Sequence, residues 1–260
     1  MALCDSYVIC TSPRSGSTLL CQMLAATGVA GNPASWFHEP SVDAWLEEFS
    51  LPADPALSER EALGSIFTAA IAEGSLDTGM FGLRLQRHSF AFFSRKLAIL
   101  HPDHPSDLQR FEAAFGKTLF IYLSRRDKIG QAISYVRAQQ SGLWHMAPDG
   151  SELERLSPPR EPVYDGDEIR DCLMTMQAYD QGWEDWFKAE RIEPVRITYE
   201  ELSADPGETL RLVMGRLALD PEIANEITPG VKKLADETSR DWATRFAHEQ
   251  AAKGSARIDS

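Results

Sequence analysis

Apolar positions along the chain alternate between short unbroken runs and helical spacings. Residues 7–10, Tyr-Val-Ile-Cys, form an uninterrupted run that reads as a strand buried on both faces. Leu20, Met23, Leu24 and Thr27 then fall at helical spacing, and Gly28 supplies a stop. Ser41 is placed to cap a helix whose Val42, Trp45, Leu46 and Phe49 share a face. Ser58-Glu59-Arg60-Glu61 has the form of a capping box, followed at helical intervals by Leu63, Ile66, Phe67, Ala70 and Ile71. Residues 80–85, "MFGLRL", and 118–124, "TLFIYLS", read as strands, and a helix over about 128–140 ends at Gly142. Residues 148–167 are rich in proline, glycine and charge and read as a long loop, expected to serve as a mobile flap. A long helix follows, with Ile169, Leu173, Met176, Trp183 and Phe187 on one side. Residues 193–199, "EPVRITY", give a last strand. Asp205-Pro-Gly-Glu208 opens a helix with an apolar stripe of Leu210, Val213, Met214 and Leu217.

Strands alternating with helices imply an α/β fold with a mainly parallel central sheet flanked by helices. Ligands of such sheets bind at the C-terminal ends of the strands. No linker divides the 260 residues, so residues 1–250 read as one domain and 251–260 as a polar C-terminal tail. The net charge of −13 argues against a nucleic-acid surface, which needs dense basic groups. No run approaches the length of a membrane span and no secretory signal is visible, so a cytoplasmic protein that does not engage membranes is expected. Four cysteines without CxxC spacing read as reduced thiols.

The chemistry starts at Cys10–Thr18, "CTSPRSGST", between the first strand and the first helix. Free N–H groups and the helix dipole favour an anion there, and Gly16 lets the backbone come close to it. Ser15, Ser17 and Thr18 add hydroxyls, and Arg14 adds a planar cation. A nucleoside triphosphatase loop would read GxxxxGK[ST]; this one has a single glycine and no lysine, which disfavours an ATP-dependent phosphotransferase. A non-catalytic nucleotide-binding module stays open. A second basic cluster, Arg125-Arg126, ends the strand 118–124, and Ser134 lies eight residues after Arg126 on the following helix. Two basic strand ends in one parallel sheet point to two phosphate sites on one ligand.

The loop "SPRSGSTLL" resembles the 5′-phosphosulfate loop of sulfotransferases that use PAPS, the 3′-phosphoadenylyl sulfate donor. "RRDKIGQAIS" resembles their 3′-phosphate motif, and "ITYEEL", residues 197–202, resembles their tyrosine-containing segment. The stretches "RSGSTLLCQMLAATGVAGNP" and "RRDKIGQAIS" are similar to the Stf0 branch, over most of the chain. The resemblance implies a P-loop-like sulfotransferase fold and transfer of a sulfuryl group from PAPS, releasing PAP, without a metal. The acceptor would be a hydroxyl of a small carbohydrate such as trehalose or a related glycoside. Arg14, Ser15, Gly16, Ser17 and Thr18 would hold the 5′-phosphosulfate, Arg126 and Ser134 the 3′-phosphate, and Tyr199 would lie near the adenine. A homodimer is implied as well.

The base proposed in that family is a glutamate before two aromatics; in "GNPASWFHEP" Ser35 holds that place. His38 and Glu39 are the nearest titratable side chains. In an extended segment residues 35, 37 and 39 share a side, which favours Glu39. Trp36, Phe37 and Trp144 are the candidates for stacking on a sugar, whereas Trp183 and Trp186 read as core. "HPDHP", residues 101–105, reads as a loop without a metal ligand set, and "YDGDE", residues 164–168, as a helix cap.

Overall fold

A computed structural model describes residues 4–147, 149–228, 230 and 236–258. In chain order the elements are β1 (Ser6–Thr11), α1 (Ser17–Ala26), α2 (Val42–Glu48), α3 (Glu59–Ser75), β2 (Phe81–Gln86), α4 (Arg87–Leu100), α5 (Asp107–Phe115), β3 (Thr118–Ser124), α6 (Lys128–Ser141), β4 (Leu143–Met146), β5 (Glu152–Arg155), α7 (Gly166–Glu190), β6 (Val195–Thr198), α8 (Tyr199–Ala204), α9 (Pro206–Arg216) and α10 (Glu237–Ile258). They fall into two compact units, residues 1–124 with 179–229, and residues 125–178 with 230–260. The chain passes between the units three times, directly after β3, inside α7 and between residues 229 and 230, so no single linker divides it.

The first unit is built on a wholly parallel sheet of order β2-β1-β3-β6. All six residues of β1 are buried, as its unbroken apolar run requires of a central strand. Side chains alternate across the sheet. Val8, Cys10, Leu83, Leu85, Phe120 and Tyr122 face a core closed by α2 to α5 and by Trp183, Trp186 and Phe187 of α7. Tyr7, Ile9, Ile121, Leu123 and Ile197 face α1, α8 and α9. β1 pairs with β2 on one side and β3 on the other, so the strand order reverses at its C-terminal end, where open parallel sheets bind ligands.

In the second unit α6, α10 and the first part of α7 pack through Ala132, Ile133, Val136, Ile169, Trp242 and Phe246. Arg137 of α6 forms a salt bridge to Asp236, 2.6 Å from Nη1 to Oδ1. Residues 148–167 are not a loop throughout: β5 pairs antiparallel with β4, and α7 begins at Gly166 with Asp165 Oδ1 accepting from the N–H groups of Asp167 and Glu168. Pro148 lies outside the described residues. α10 runs through residues 251–258, most of the expected tail; 259 and 260 lie outside the described residues.

The expected caps form. Ser41, Ser58 and Asp205 accept from the backbone of the first turns of α2, α3 and α9, and Ser58 with Glu61 completes the capping box. No helix among the described residues is long and apolar enough to cross a membrane.

Candidate active site

The loop after β1 is fixed from below. Thr11 donates its hydroxyl to the carbonyl of Leu123 (2.8 Å) and shares a 2.5 Å hydrogen bond with Ser15 Oγ. The Trp183 indole donates to the carbonyl of Thr11 (2.8 Å), and Ser12 Oγ donates to Asp180 (3.1 Å). Asp180 also approaches Tyr122, whose phenol is pushed well above its ordinary pKa by burial and then by the negative charges of Asp180 and Glu184. Ser15 is fully buried, and its hydroxyl serves the wall of the loop through Thr11.

Two residues of the loop carry left-handed backbone. Arg14 has φ 62°, a conformation that costs a non-glycine residue about 1–3 kcal/mol and concentrates at functional sites. Gly16 has φ 84° and caps α1 without a side-chain hydrogen bond, and no acidic residue lies in the first turn. The helix therefore presents its dipole and first-turn N–H groups without a side-chain acceptor from its cap, as an anion site needs. A Cβ on Gly16 would lie 2.8 Å from Tyr199 Cδ2 and 3.3 Å from Leu202 Cδ2, so the Tyr199 ring packs directly on this glycine.

The sequence reading missed Arg84. It lies in β2 on the face opposite Leu83 and Leu85, and its Nε donates to Ser35 Oγ (2.7 Å) while Nη1 donates to Thr18 Oγ1 (2.9 Å). One guanidinium thus ties the first turn of α1 to residue 35. A charged residue in the middle of the apolar run "MFGLRL" was the available signal.

Residues 35–38 form a turn, closed by the His38 N–H donating to the Ser35 carbonyl (3.1 Å), and the expected alternation along an extended segment does not hold. Phe37 is 1% exposed and packs on Trp45, Phe67 and Phe93; it is a core residue, out of reach of a sugar. Trp36 is half-buried against Phe49, with its indole N–H buried and without a hydrogen-bond partner. The side chains of His38 and Glu39 are 51% and 67% exposed, with Nε2 and Oε1 3.9 Å apart. The His38 ring stands edge-on to His88 (4.8 Å), whose pKa is lowered by burial and by His38.

In the second unit Arg126 is exposed ahead of α6 and Ser134 is half-buried on that helix. Arg125 is buried, with Nη2 3.3 Å from Asp127, and Asp127 caps α6 through the Gly130 N–H (2.8 Å). Trp144, on β4, meets the Tyr135 ring edge-on at 5.6 Å. Among the described residues no group of three or more His, Cys, Asp or Glu side chains is placed to hold a metal ion.

The chain is 28% identical to trehalose 2-sulfotransferase of Mycolicibacterium smegmatis, over 96% of this chain and 97% of that protein. It is 26% identical to trehalose 2-sulfotransferase of Mycobacterium tuberculosis, over 95% and 96%. A crystal structure of a sulfotransferase from Alicyclobacillus acidocaldarius aligns with 13% identity and a TM-score of 0.40, covering 100% of this chain and 97% of that one. The family model described as Stf0 sulphotransferase matches residues 6–249, from the first residue of β1 into α10. With that match spanning the sheet, the loop at its switch point and the second basic cluster, the chain belongs to the Stf0 sulphotransferase family.

Proposed function

We propose that the protein transfers a sulfuryl group from PAPS to a hydroxyl of a small sugar-class acceptor, trehalose or a related glycoside. The observation that carries this reading is the N-terminus of α1, capped by Gly16 behind Arg14 and with no acidic residue in its first turn, in a chain of the Stf0 family. The names of the two mycobacterial relatives support the choice of acceptor.

In this reading the N–H groups of residues 15–18 and the Arg14 guanidinium bind the 5′-phosphosulfate and stabilise the charge that grows on the departing phosphate. Arg126 and Ser134 take the 3′-phosphate, the feature that separates PAPS from ADP-like nucleotides. Tyr199 keeps Gly16 in place and closes one side of the loop. No step in the scheme calls for a metal. The acceptor hydroxyl needs a base within about 2.6–3.2 Å or one water away. Glu39 and His38, on the exposed side of the 35–38 turn, are the proposed candidates, Glu39 first because an ionised carboxylate only accepts. Ser35, engaged by Arg84, does not suit the role.

Calorimetry with PAP, ADP and ATP tests the donor. PAP should bind at least about tenfold more tightly than ADP, the scale of one lost charge-assisted contact. Equal affinities would overturn the 3′-phosphate assignment, and preference for ATP would favour phosphoryl transfer.

A further inference from the structure

Beside the anion loop lies a pocket of about 200 Å³. One wall is a single face of α1, where Thr18, Cys21, Gln22 and Ala25 recur at helical spacing. The facing wall is the segment Asn32-Pro33-Ala34. That segment is held against the edge of β2: the Arg84 N–H donates to the Ala34 carbonyl (2.9 Å), and Ala34 forms a parallel bridge with Leu83. The Arg84 side chain lines the pocket as well.

The lining has two characters. Ala25, Pro33 and Ala34 are small and apolar and offer flat surfaces. Gln22, Asn32 and Arg84 are hydrogen-bonding groups with capacity to spare. Gln22 makes no side-chain hydrogen bond among the described residues, and Asn32 makes one long contact, 3.4 Å to the Glu73 carbonyl. Arg84 spends Nε on Ser35 and Nη1 on Thr18, and no described residue accepts from Nη2. Two amides supply donors and acceptors together, and the guanidinium supplies a donor. Vicinal hydroxyls, which also donate and accept, satisfy such a set; a simple anion would leave the amide carbonyls unmatched.

Size decides which substrate enters. Pockets for drug-sized ligands run to about 300–1,000 Å³. At about 200 Å³ this one matches a single small ring better than a nucleotide such as the donor. Thr18 belongs both to the anion loop and to the pocket wall, so a ring held here lies next to the group the loop binds.

We infer that the pocket between α1 and residues 32–34 is the acceptor subsite, taking one polyhydroxylated ring through Gln22, Asn32 and Arg84. The inference rests on the sulfuryl-transfer reading above. Arg84 then has two functions: it shapes the pocket by fixing Thr18 and Ser35, and it offers Nη2 to the ring. The aromatic residues proposed from the sequence are not part of this lining.

The test takes the full-length protein, PAPS, and a panel of trehalose, glucose, myo-inositol and glycerol, with PAP affinity measured in parallel. For the best acceptor, the Gln22→Ala/Asn32→Ala double variant should raise KM about 10- to 100-fold, the effect of two lost hydrogen bonds. Its PAP affinity and melting temperature should match the parent protein. Ala25→Phe, which fills the pocket from a partly exposed helix position, should abolish transfer and still bind PAP. An unchanged KM in the double variant together with turnover by Ala25→Phe would overturn the assignment. If the protein binds PAP and sulfates no member of the panel, the polyhydroxylated-ring class is wrong. Failure to bind PAP at all brings down the sulfuryl-transfer reading, and this inference with it.

Discussion

Replacing Gly16 by alanine sets a backbone cost and a steric cost at one atom, and the two can be separated. At φ 84° a residue with a Cβ gives up roughly 1–2 kcal/mol. The added carbon would stand 2.8 Å from Tyr199 Cδ2, whereas carbon pairs settle at about 3.5–4.0 Å. The ring must retreat, and overpacking of that kind costs about 1–3 kcal/mol. The sum, about 2–5 kcal/mol, corresponds to a fall in melting temperature of roughly 4–20 °C for a chain of this size. In a Tyr199→Ala background the clash with the ring is removed, leaving the backbone part, roughly 1–2 kcal/mol, and the milder contact with Leu202 Cδ2 at 3.3 Å. A double-mutant cycle by chemical denaturation, with PAP calorimetry on each variant, reads both. Gly16→Ala should also weaken PAP binding, because the N–H groups of the loop move with the backbone. An equal cost of Gly16→Ala in both backgrounds would refute the packing of Tyr199 on Gly16, and full PAP affinity in Gly16→Ala would refute the role of the loop.

Three further outcomes are expected. Arg126→Ala should weaken PAP binding by about 1.5–3 kcal/mol, the range of a hydrogen bond to a charged group, and leave ADP binding unchanged; loss of both equally would remove Arg126 from the 3′-phosphate. Glu39→Gln should lower turnover about 10²- to 10⁴-fold with PAP binding intact, and His38→Ala should be milder; parent-like turnover in Glu39→Gln would eliminate it as the base. The Asp236 carboxyl is lowered to about 2, first by its hydrogen bond from Arg137. A depressed folded pKa means that this contribution is present above the ordinary carboxylate range and is lost as pH falls toward 2. Arg137→Ala should therefore reduce the loss of stability between about pH 4 and pH 2, by an amount kept small by the exposure of the pair; an unaltered acid limb in melting curves would contradict it.

The opening strand, loop and helix were legible because an unbroken apolar run, a hydroxyl-rich loop and a helical stripe follow one another without interruption. Side-chain caps made α2, α3 and α9 readable. α4 gave no such signal: its cap position is Gln86, which makes no capping hydrogen bond. α5 did carry one, since Ser106 caps it and Phe111 and Phe115 lie one turn apart. The hairpin of β4 and β5 was invisible because Glu152–Arg155 is mostly exposed and charged, so its strand conformation comes from pairing with β4 and not from an apolar face.

At the candidate site the loop residues were readable from their types, but their surroundings were not. The turn at residues 35–38 depends on one backbone hydrogen bond, and it sends Phe37 into the core while Glu39 stays outside. The Arg84 contacts to Thr18 and Ser35 join positions 66 and 49 residues apart, Thr18 carried by α1 and Ser35 by the segment that bridges to β2 through Ala34 and Leu83.

The most direct test is transfer itself. The purified protein is incubated with PAPS and trehalose, and the products are followed by mass spectrometry. PAP and a sulfated sugar should form in equal amounts, and Arg14→Ala should suppress both. Release of PAP without sulfated sugar, with trehalose and with every other hydroxyl acceptor offered, would contradict a sulfotransferase acting on this class of acceptor.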